Sequence, residues 1–437
     1  MPYPMITRSL NGNLLAETMP PAMPDSDVVS VEGTCCGRES TFSLDRDLLC
    51  KGVLVLGATG TGKTTAINAL GAQLRARLGA HSNLIIVDAK NDYLPKLGRK
   101  GDLLLSQGAD RDRSVRWNIF RDLTYDGWDE ETIHLNCMEI SRQLFADKKG
   151  QSQQFFPDAA QLLLCQVLKH YISAARISIR ARRELSNAGL RRFFTGFSTD
   201  QYRHLLEEST EGGSLRMLLG DDLNNPQALG VLGEEVLTVL STFTDVFGED
   251  GDFSIREFVA NRDGRALFLE YDPAYRETQR RIYGMLMNQA LKEVLSSRTG
   301  DGHTILLCDE LPAIGKIDLS SAVNLGRAKG LICVVGLQSI EQLYETYGEH
   351  QGNALLAGLC TKLYFRPNDA VTAKYIRDSF GMTRIEEIRL SPGGSRTNVR
   401  TEYVAEDHVI RSLKTGCCIC ALAESAPFLF QFGHPDR

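Results

Sequence analysis

Short runs of uninterrupted apolar residues recur in the first and last thirds of the chain, and helical spacing takes over in the middle. Gly52-Val53-Leu54-Val55-Leu56 and Asn83-Leu84-Ile85-Ile86-Val87-Asp88 are strand-sized and apolar at successive positions. Such runs predict strands buried on both faces. From about Lys63 to Leu78, Ile67, Leu70 and Leu74 fall on one helical face. Strand, loop, helix and strand in that order predict a βαβ unit of a parallel sheet. The strand signal returns at Arg265–Tyr271, Thr304–Cys308, Leu331–Gly336 and Lys362–Phe365, with a long helix from about Glu277 to Leu295. Apolar residues instead recur at helical spacing through Ile133–Phe145, Phe155–Ile179, Tyr202–Leu219 and Val231–Phe247. That stretch predicts an all-α domain inserted into the α/β core. Residues 1–30 carry scattered Pro and Met and no sustained period, so they read as an extended arm or a frayed end. The expected organisation is an arm over 1–37, a core domain over 38–127 and 261–437, and the helical insertion over 128–260. A length of 437 residues suits two to three domains at roughly 150 residues each.

Composition narrows the class. Hydrophobic residues make up 43% and charged residues 24% of the chain, ordinary for a soluble globular enzyme. A net charge of −6 argues against a protein that coats nucleic acid by bulk positive charge, while leaving room for a local basic channel. No run approaches the ~18 apolar residues of a membrane-spanning helix, and the first residues lack the apolar core of a secretory signal. The expectation is a soluble, cytoplasmic chain with no membrane span of its own. Of the eleven cysteines, Cys165, Cys308, Cys333 and Cys360 lie in apolar segments, where free thiols act as small hydrophobes. Cys35-Cys36 and Cys417-Cys418-Ile419-Cys420 lack the paired spacing of zinc sites. Reduced structural thiols are expected.

The loop between the first buried strand and its helix carries the chemistry. Gly57-Ala58-Thr59-Gly60-Thr61-Gly62-Lys63-Thr64 fits G-x-x-x-x-G-K-[ST], in which backbone N–H groups converge on phosphate oxygens at a helix N-terminus. Lys63 is expected to reach the β- and γ-phosphates, the Thr64 hydroxyl to ligate Mg²⁺, and Thr65 to meet the α-phosphate. The partner motif is an acid ending a buried strand, supplied by Asp309-Glu310 after Thr304–Cys308. Asp309 would hold the Mg²⁺ shell, and Glu310 would polarise the attacking water, which favours a hydrolase over a kinase. The alternative for the acid pair is a helix start with acids in its first turn. No N-K-x-D guanine reader follows Asp309, which leaves ATP as the expected nucleotide. The fold expected is α/β: a P-loop NTPase with a RecA-like parallel sheet, mixed at its edge, flanked by helices.

Further positions carry weaker signals. Gln338 ends the buried strand Leu331–Gly336 and either touches the γ-phosphate or attacking water, or caps the next helix. Arg327, just before that strand, is either a solvated charge or, in a ring of subunits, an arginine finger acting in trans. Arg176, Arg180, Arg182 and Arg183, with Arg191 and Arg192 beyond, form the most basic stretch. These side chains either grip phosphates without regard to sequence or are solvated and paired with acids such as Glu184. Trp117 and Trp128 read as packing residues. The eight histidines are scattered and suggest no metal beyond Mg²⁺.

Several stretches together resemble the coupling proteins of type IV secretion and conjugation, DNA-pumping P-loop ATPases of the HerA/FtsK superfamily. They are Leu54–Thr65, Ile86–Tyr93 with its Asp-x-Lys, Trp117–Phe120, Leu306–Lys316, Arg327–Gln338 and Thr361–Gly381. Asn91-Asp92 stands where the family often has Gly followed by an acid, and the Pro usual after Asn118 is absent. The resemblance spans most of residues 38–430. It implies a homo-hexameric ring, DNA-stimulated ATP hydrolysis and movement of DNA through a central pore. It further implies that the helical insertion recruits DNA, relaxase or accessory proteins, and that the secretion channel is a partner. Most of these proteins carry N-terminal transmembrane helices and this sequence shows none: either partners recruit it to the bacterial inner membrane, or the membrane part is missing from the sequence, or the chain is a soluble relative with another job. Two other roles fit the same motifs: a soluble helicase or translocase in DNA processing or defence, and an ATP-switched receptor for secreted protein substrates.

Overall fold

The computed structural model describes residues 5–16, 29–106, 110–146, 155–196, 198–208, 226–246, 250–272, 276–296, 302–391, 394–423 and 425–433. The chain folds as two compact units. The first takes Met1–Asp102, Arg262–Phe268 and Val294–Arg437; the second takes Leu103–Asn261 and Leu269–Glu293.

The strands are, in chain order, β1 (Met5–Asn11), β2 (Val29–Cys35), β3 (Arg38–Leu44), β4 (Val53–Leu56), β5 (Asn83–Asp88), β6 (Leu103–Leu105), β7 (Ala266–Glu270), β8 (Thr304–Cys308), β9 (Leu331–Leu337), β10 (Thr361–Phe365), β11 (Met382–Ser391), β12 (Gly394–Tyr403), β13 (Cys417–Ala421) and β14 (Phe428–Phe432). The main sheet of the first unit runs β3-β2-β14-β13-β10-β4-β9-β8-β5-β7. Its centre, β10-β4-β9-β8-β5, is parallel throughout. Every residue of β4, β5, β8 and β9 is buried, as expected of strands covered on both faces. Beyond β10 the pairing turns antiparallel through β13, β14, β2 and β3, so the sheet is mixed at one edge. Phe42, Phe428, Phe430 and Phe432 pack there with ring centroids 5.0 to 6.4 Å apart. The mixed edge agrees with the fold expected from the sequence, although its individual strands, short and only weakly alternating, are not delimited there.

The segment expected to be an arm is instead paired. β1 runs antiparallel to β11, which continues as a hairpin into β12, and β2 joins the main sheet. Backbone pairing to strands far along the chain leaves no periodic trace in the segment itself.

In the second unit, helix Phe155–Ile177 packs against Glu130–Leu144 and Pro226–Val246, with Asn187–Gly196 and Thr199–Glu208 beside them. The remainder of the helical run expected through Leu219 lies outside the described residues. This unit opens at Leu103 rather than at 128 because a short segment is stitched into it. The Asn118 amide donates to the carbonyls of Leu185 and Gly251, both at 3.0 Å. Asn187 accepts from the Ile119 N–H and donates to the Trp117 carbonyl. β6 pairs with β7, whose last residues, Leu269 and Glu270, belong to this unit. Among the described residues no helix is long and apolar enough to cross a membrane. All eleven cysteines are free thiols.

Candidate nucleotide site

Five parallel strands of the first unit deliver their carboxyl ends to one side of the sheet, the side where open α/β sheets take ligands. The phosphate loop follows β4 and leads into helix Lys63–Ala76. Its backbone is anchored to both neighbours of β4. The Gly57 N–H donates to the Leu337 carbonyl at 3.1 Å, and the Ala58 N–H to the Arg366 carbonyl at 2.9 Å. Gly62, the helix N-cap, has φ +109°, a conformation that L side chains rarely adopt. A Cβ there would also meet the Gly416 Cα at 2.8 Å, and the Gly416 N–H donates to the Thr61 carbonyl at 2.8 Å. The turn before β13 therefore braces the loop from outside. Thr61 donates its hydroxyl to the Ala58 carbonyl at 2.6 Å, and the Lys63 ammonium donates to the same oxygen at 2.9 Å. Thr59 and Gly60 are exposed, and Thr64 and Thr65 half-buried.

Strand β8, the next but one, ends in Asp309 and Glu310, both buried. Strand β9 passes between them and the loop without a side chain at Gly336, where a Cβ would come within 2.0 Å of the Asp309 carbonyl oxygen. Gln338, the first residue beyond β9, bridges the motifs. Its amide donates to the Glu310 carboxylate, and its carbonyl accepts from the Thr59 hydroxyl at 3.1 Å. Burial raises the Glu310 pKa above the ordinary carboxyl value, against the opposing pull of Gln338 and Lys63. Burial lowers that of Lys63, against the pull of Glu310 and Asp309.

Lys90 completes the cluster. Its ammonium lies 3.0 Å from Oδ2 of Asp309, while Oδ1 of that carboxylate is buried without a hydrogen-bond partner. The turn that carries Lys90 is fixed by Asp88 at the end of β5. Its carboxylate accepts the backbone N–H groups of Lys90, Asp92 and Tyr93 at 3.3, 3.0 and 2.7 Å, and burial raises its pKa. The sequence shows the Asp-x-Lys spacing but no role for Lys90, because only the adjacency of β5 and β8 brings the side chain to Asp309.

Lys63, Asp309, Glu310 and Gln338 thus gather with the loop at one place. Arg327 does not join them. It lies before β9, whose seven residues separate it from Gln338 by roughly 20 Å at about 3.3 Å per residue. Its guanidinium pairs with Asp47 of helix Arg46–Cys50. In the second unit Arg176, Arg180, Arg182 and Arg183 are all exposed. They lie on the last turn of Phe155–Ile177 and around the short helix Ile179–Arg182. Arg182 stacks over the Trp128 ring at 5.0 Å, and Trp117 is fully buried.

The donors suit a hard cation: the Thr64 hydroxyl and the Asp309 carboxylate offer oxygen, the ligand type Mg²⁺ prefers. The unpartnered Oδ1 of Asp309 gives such an ion a ready acceptor. Among the described residues no cluster of three or more His, Cys, Asp or Glu suggests another metal.

Residues 40–413 match the model of a family described as the type IV secretion-system coupling protein DNA-binding domain. No curated protein sequence matches the chain. Among solved structures, the bacterial conjugative coupling protein TrwBdeltaN70, in an unbound form, superposes with a TM-score of 0.72 at 22% identity, over 99% of this chain and 95% of that one. The plasmid coupling protein TrwB in complex with ADP and Mg²⁺ gives 0.69 at 22% identity, over the same shares. VirB4 of Thermoanaerobacter pseudethanolicus gives 0.56 at 12% identity, over 95% of this chain and 99% of that one. At these identities the likeness establishes a shared α/β fold.

Proposed function

The chain belongs to the family of type IV secretion-system coupling proteins, and from that premise we propose that it is an ATP-hydrolysing motor that moves DNA into a secretion or conjugation channel. The observation that carries the reading is the convergence of the phosphate loop with Asp309, Glu310 and Gln338 at the carboxyl ends of adjacent strands. TrwB, of the same fold, has been crystallised with ADP and Mg²⁺ and with a non-hydrolysable ATP analogue.

The backbone N–H groups of Gly57–Thr64 and the helix N-terminus behind them hold the phosphates. Lys63 leaves the Ala58 carbonyl to meet the β- and γ-oxygens, and Thr65 approaches the α-phosphate. Thr64 and Asp309 hold Mg²⁺, which neutralises charge developing on the phosphates. Glu310, beside the loop and linked to Gln338, takes the proton of the attacking water. Gln338 is hydrogen-bonded to Thr59 on one side and Glu310 on the other, so a γ-phosphate that draws on Thr59 or Gln338 also reorients the base.

Arg327 is too far along the sheet to serve its own loop. We assign it to the loop of a neighbouring subunit in a homo-hexameric ring, where leaving Asp47 frees it to act as a finger. The helical segment over 128–260 recruits DNA or its protein escort, and Arg176, Arg180, Arg182 and Arg183 contribute salt-sensitive phosphate contacts.

The test is the ATPase rate with and without single- and double-stranded DNA, alongside particle mass. Stimulation by DNA and a ring-sized particle are expected. A rate indifferent to every form of DNA overturns the pump. Strand separation without any secretion partner would instead support a soluble helicase, and tight ATP binding with negligible hydrolysis a protein-substrate receptor. Mixing Arg327→Ala with Lys63→Ala subunits is expected to restore some activity, and no rescue in intact rings removes the finger.

A further inference from the structure

Asp309 carries a cation already. Its carboxylate is 2% exposed, whereas the Lys90 side chain that pairs with it at 3.0 Å is 43% exposed. The two groups therefore differ in what separation costs them. A buried carboxylate without a counter-charge is expensive. A lysine side chain exposed to this degree can swing its ammonium away and keep it solvated. Asp309 needs some cation at all times, and Lys90 is the replaceable one. The other nearby ammonium, Lys63, donates to the Ala58 carbonyl and feels Asp309 through its field. The backbone beneath Lys90 is pinned by the three N–H bonds to Asp88, so exchange involves the side chain alone and leaves the ammonium beside the phosphate end of the site.

We propose that Lys90 and the magnesium ion of the bound nucleotide compete for Asp309, which makes Lys90 a tethered stand-in for the metal and the residue that sets how strongly nucleotide binding depends on it. This rests on the nucleotide reading of the site. When the metal is scarce, the Lys90 ammonium keeps Asp309 neutralised and faces the phosphates, so nucleotide still binds. When the metal arrives, it must displace the ammonium, which raises the concentration needed. Lys90 is thus a positioning residue, acting through Asp309.

ADP binding to the full chain, measured by calorimetry in EDTA and in excess Mg²⁺, separates this role from a structural one. The readout is the ratio of the two dissociation constants. In Lys90→Gln the metal-free affinity is expected to fall and the half-saturating Mg²⁺ concentration to drop. The ratio should therefore rise by about tenfold, equivalent to about 1.4 kcal/mol. Lys90→Arg, which keeps the charge, is expected to hold the wild-type ratio. An unchanged ratio in Lys90→Gln, with both affinities intact or both reduced together, overturns the competition while leaving the nucleotide site standing. A wild-type chain that binds no ADP in either buffer overturns the nucleotide reading itself, and the competition with it.

Discussion

Asp122 in the helical unit and Asp309 in the sheet unit are almost equally shielded, at 1% and 2% exposure, yet their surroundings are finished to different degrees. Asp122 accepts the indole N–H of Trp117 at 2.5 Å, the Ser254 hydroxyl and the backbone N–H of Arg256 at 3.1 Å. Arg256, itself buried, is held by Glu293 at 2.9 Å, by Asp126 at 2.5 Å and by the Asp122 carbonyl at 3.2 Å, beneath the Tyr125 ring. Asp126 in turn accepts from Asn136, and Asn136 from Lys292. Asp309 has one charged partner drawn from a half-solvated lysine, and an oxygen with no partner. A saturated network rigidifies the part it occupies. A buried acid left with spare capacity is suited to accept something that comes and goes.

Substitutions at the two places should therefore fail in different currencies. The largest effects are expected from Lys63→Ala and Glu310→Gln, each lowering ATP turnover by at least about a thousandfold, with Glu310→Gln still binding ATP. Rapid hydrolysis by Glu310→Gln would move the base elsewhere and dissolve the contrast. In the helical unit, Arg256→Met removes the guanidinium paired with Asp126 and Glu293 and is expected to cost about 3–5 kcal/mol in a urea melt. A loss under about 1 kcal/mol would show that network to be as loose as the nucleotide site. Gln338→Ala cuts the link between Thr59 and Glu310 and is expected to slow turnover by about ten- to a hundredfold with little change in stability. Ser339, not Gln338, caps the following helix, so an equal fall in stability would make Gln338 a packing residue first and a sensor second.

The gentlest probe is pH. Burial pushes the Asp122 carboxyl up to about 6, against the pull of its hydrogen bonds. The folded chain then holds this proton more tightly than the unfolded one, so the residue favours folding below the unfolded pKa. That advantage is lost as pH climbs through the folded value. The Asp122 contribution to stability should decline between about pH 4 and about pH 6 and level off above, so the difference between wild type and Asp122→Asn should change over that range and be flat above it. A slope of opposite sign would mean that the hydrogen bonds to Asp122 outweigh its burial.

How much of this was readable depends on how local each feature is. Gly57–Thr65, Asp309-Glu310 and Gln338 each follow a run of buried apolar residues, so the sequence places them at strand ends without help from the rest of the chain. Lys90 is legible as a spacing and illegible as an ion pair, because its partner depends on which strand lies beside β5. The brace at Gly416 leaves no pattern around Gly62. The stitching of Trp117 and Asn118 to Asn187 and Gly251 is likewise invisible, which is why the helical unit starts earlier than periodicity suggests. Of the exposed arginines, Arg182 is stacked on Trp128, a contact that their spacing in the sequence does not show.

The brace bears on the order in which a nascent chain acquires its parts. The phosphate loop leaves the ribosome ahead of its brace, with its strand and helix around it. Yet Gly416, whose N–H holds the Thr61 carbonyl, and β13, which pairs with β10 next to the loop, are made much later. A growing chain stopped short of Gly416 would carry the whole G-x-x-x-x-G-K-T motif on a sheet with an open edge. Its loop would lack one wall. The loop therefore gains its full frame only once Gly416 and β13 have been made, by which time the helical unit has been made and can fold.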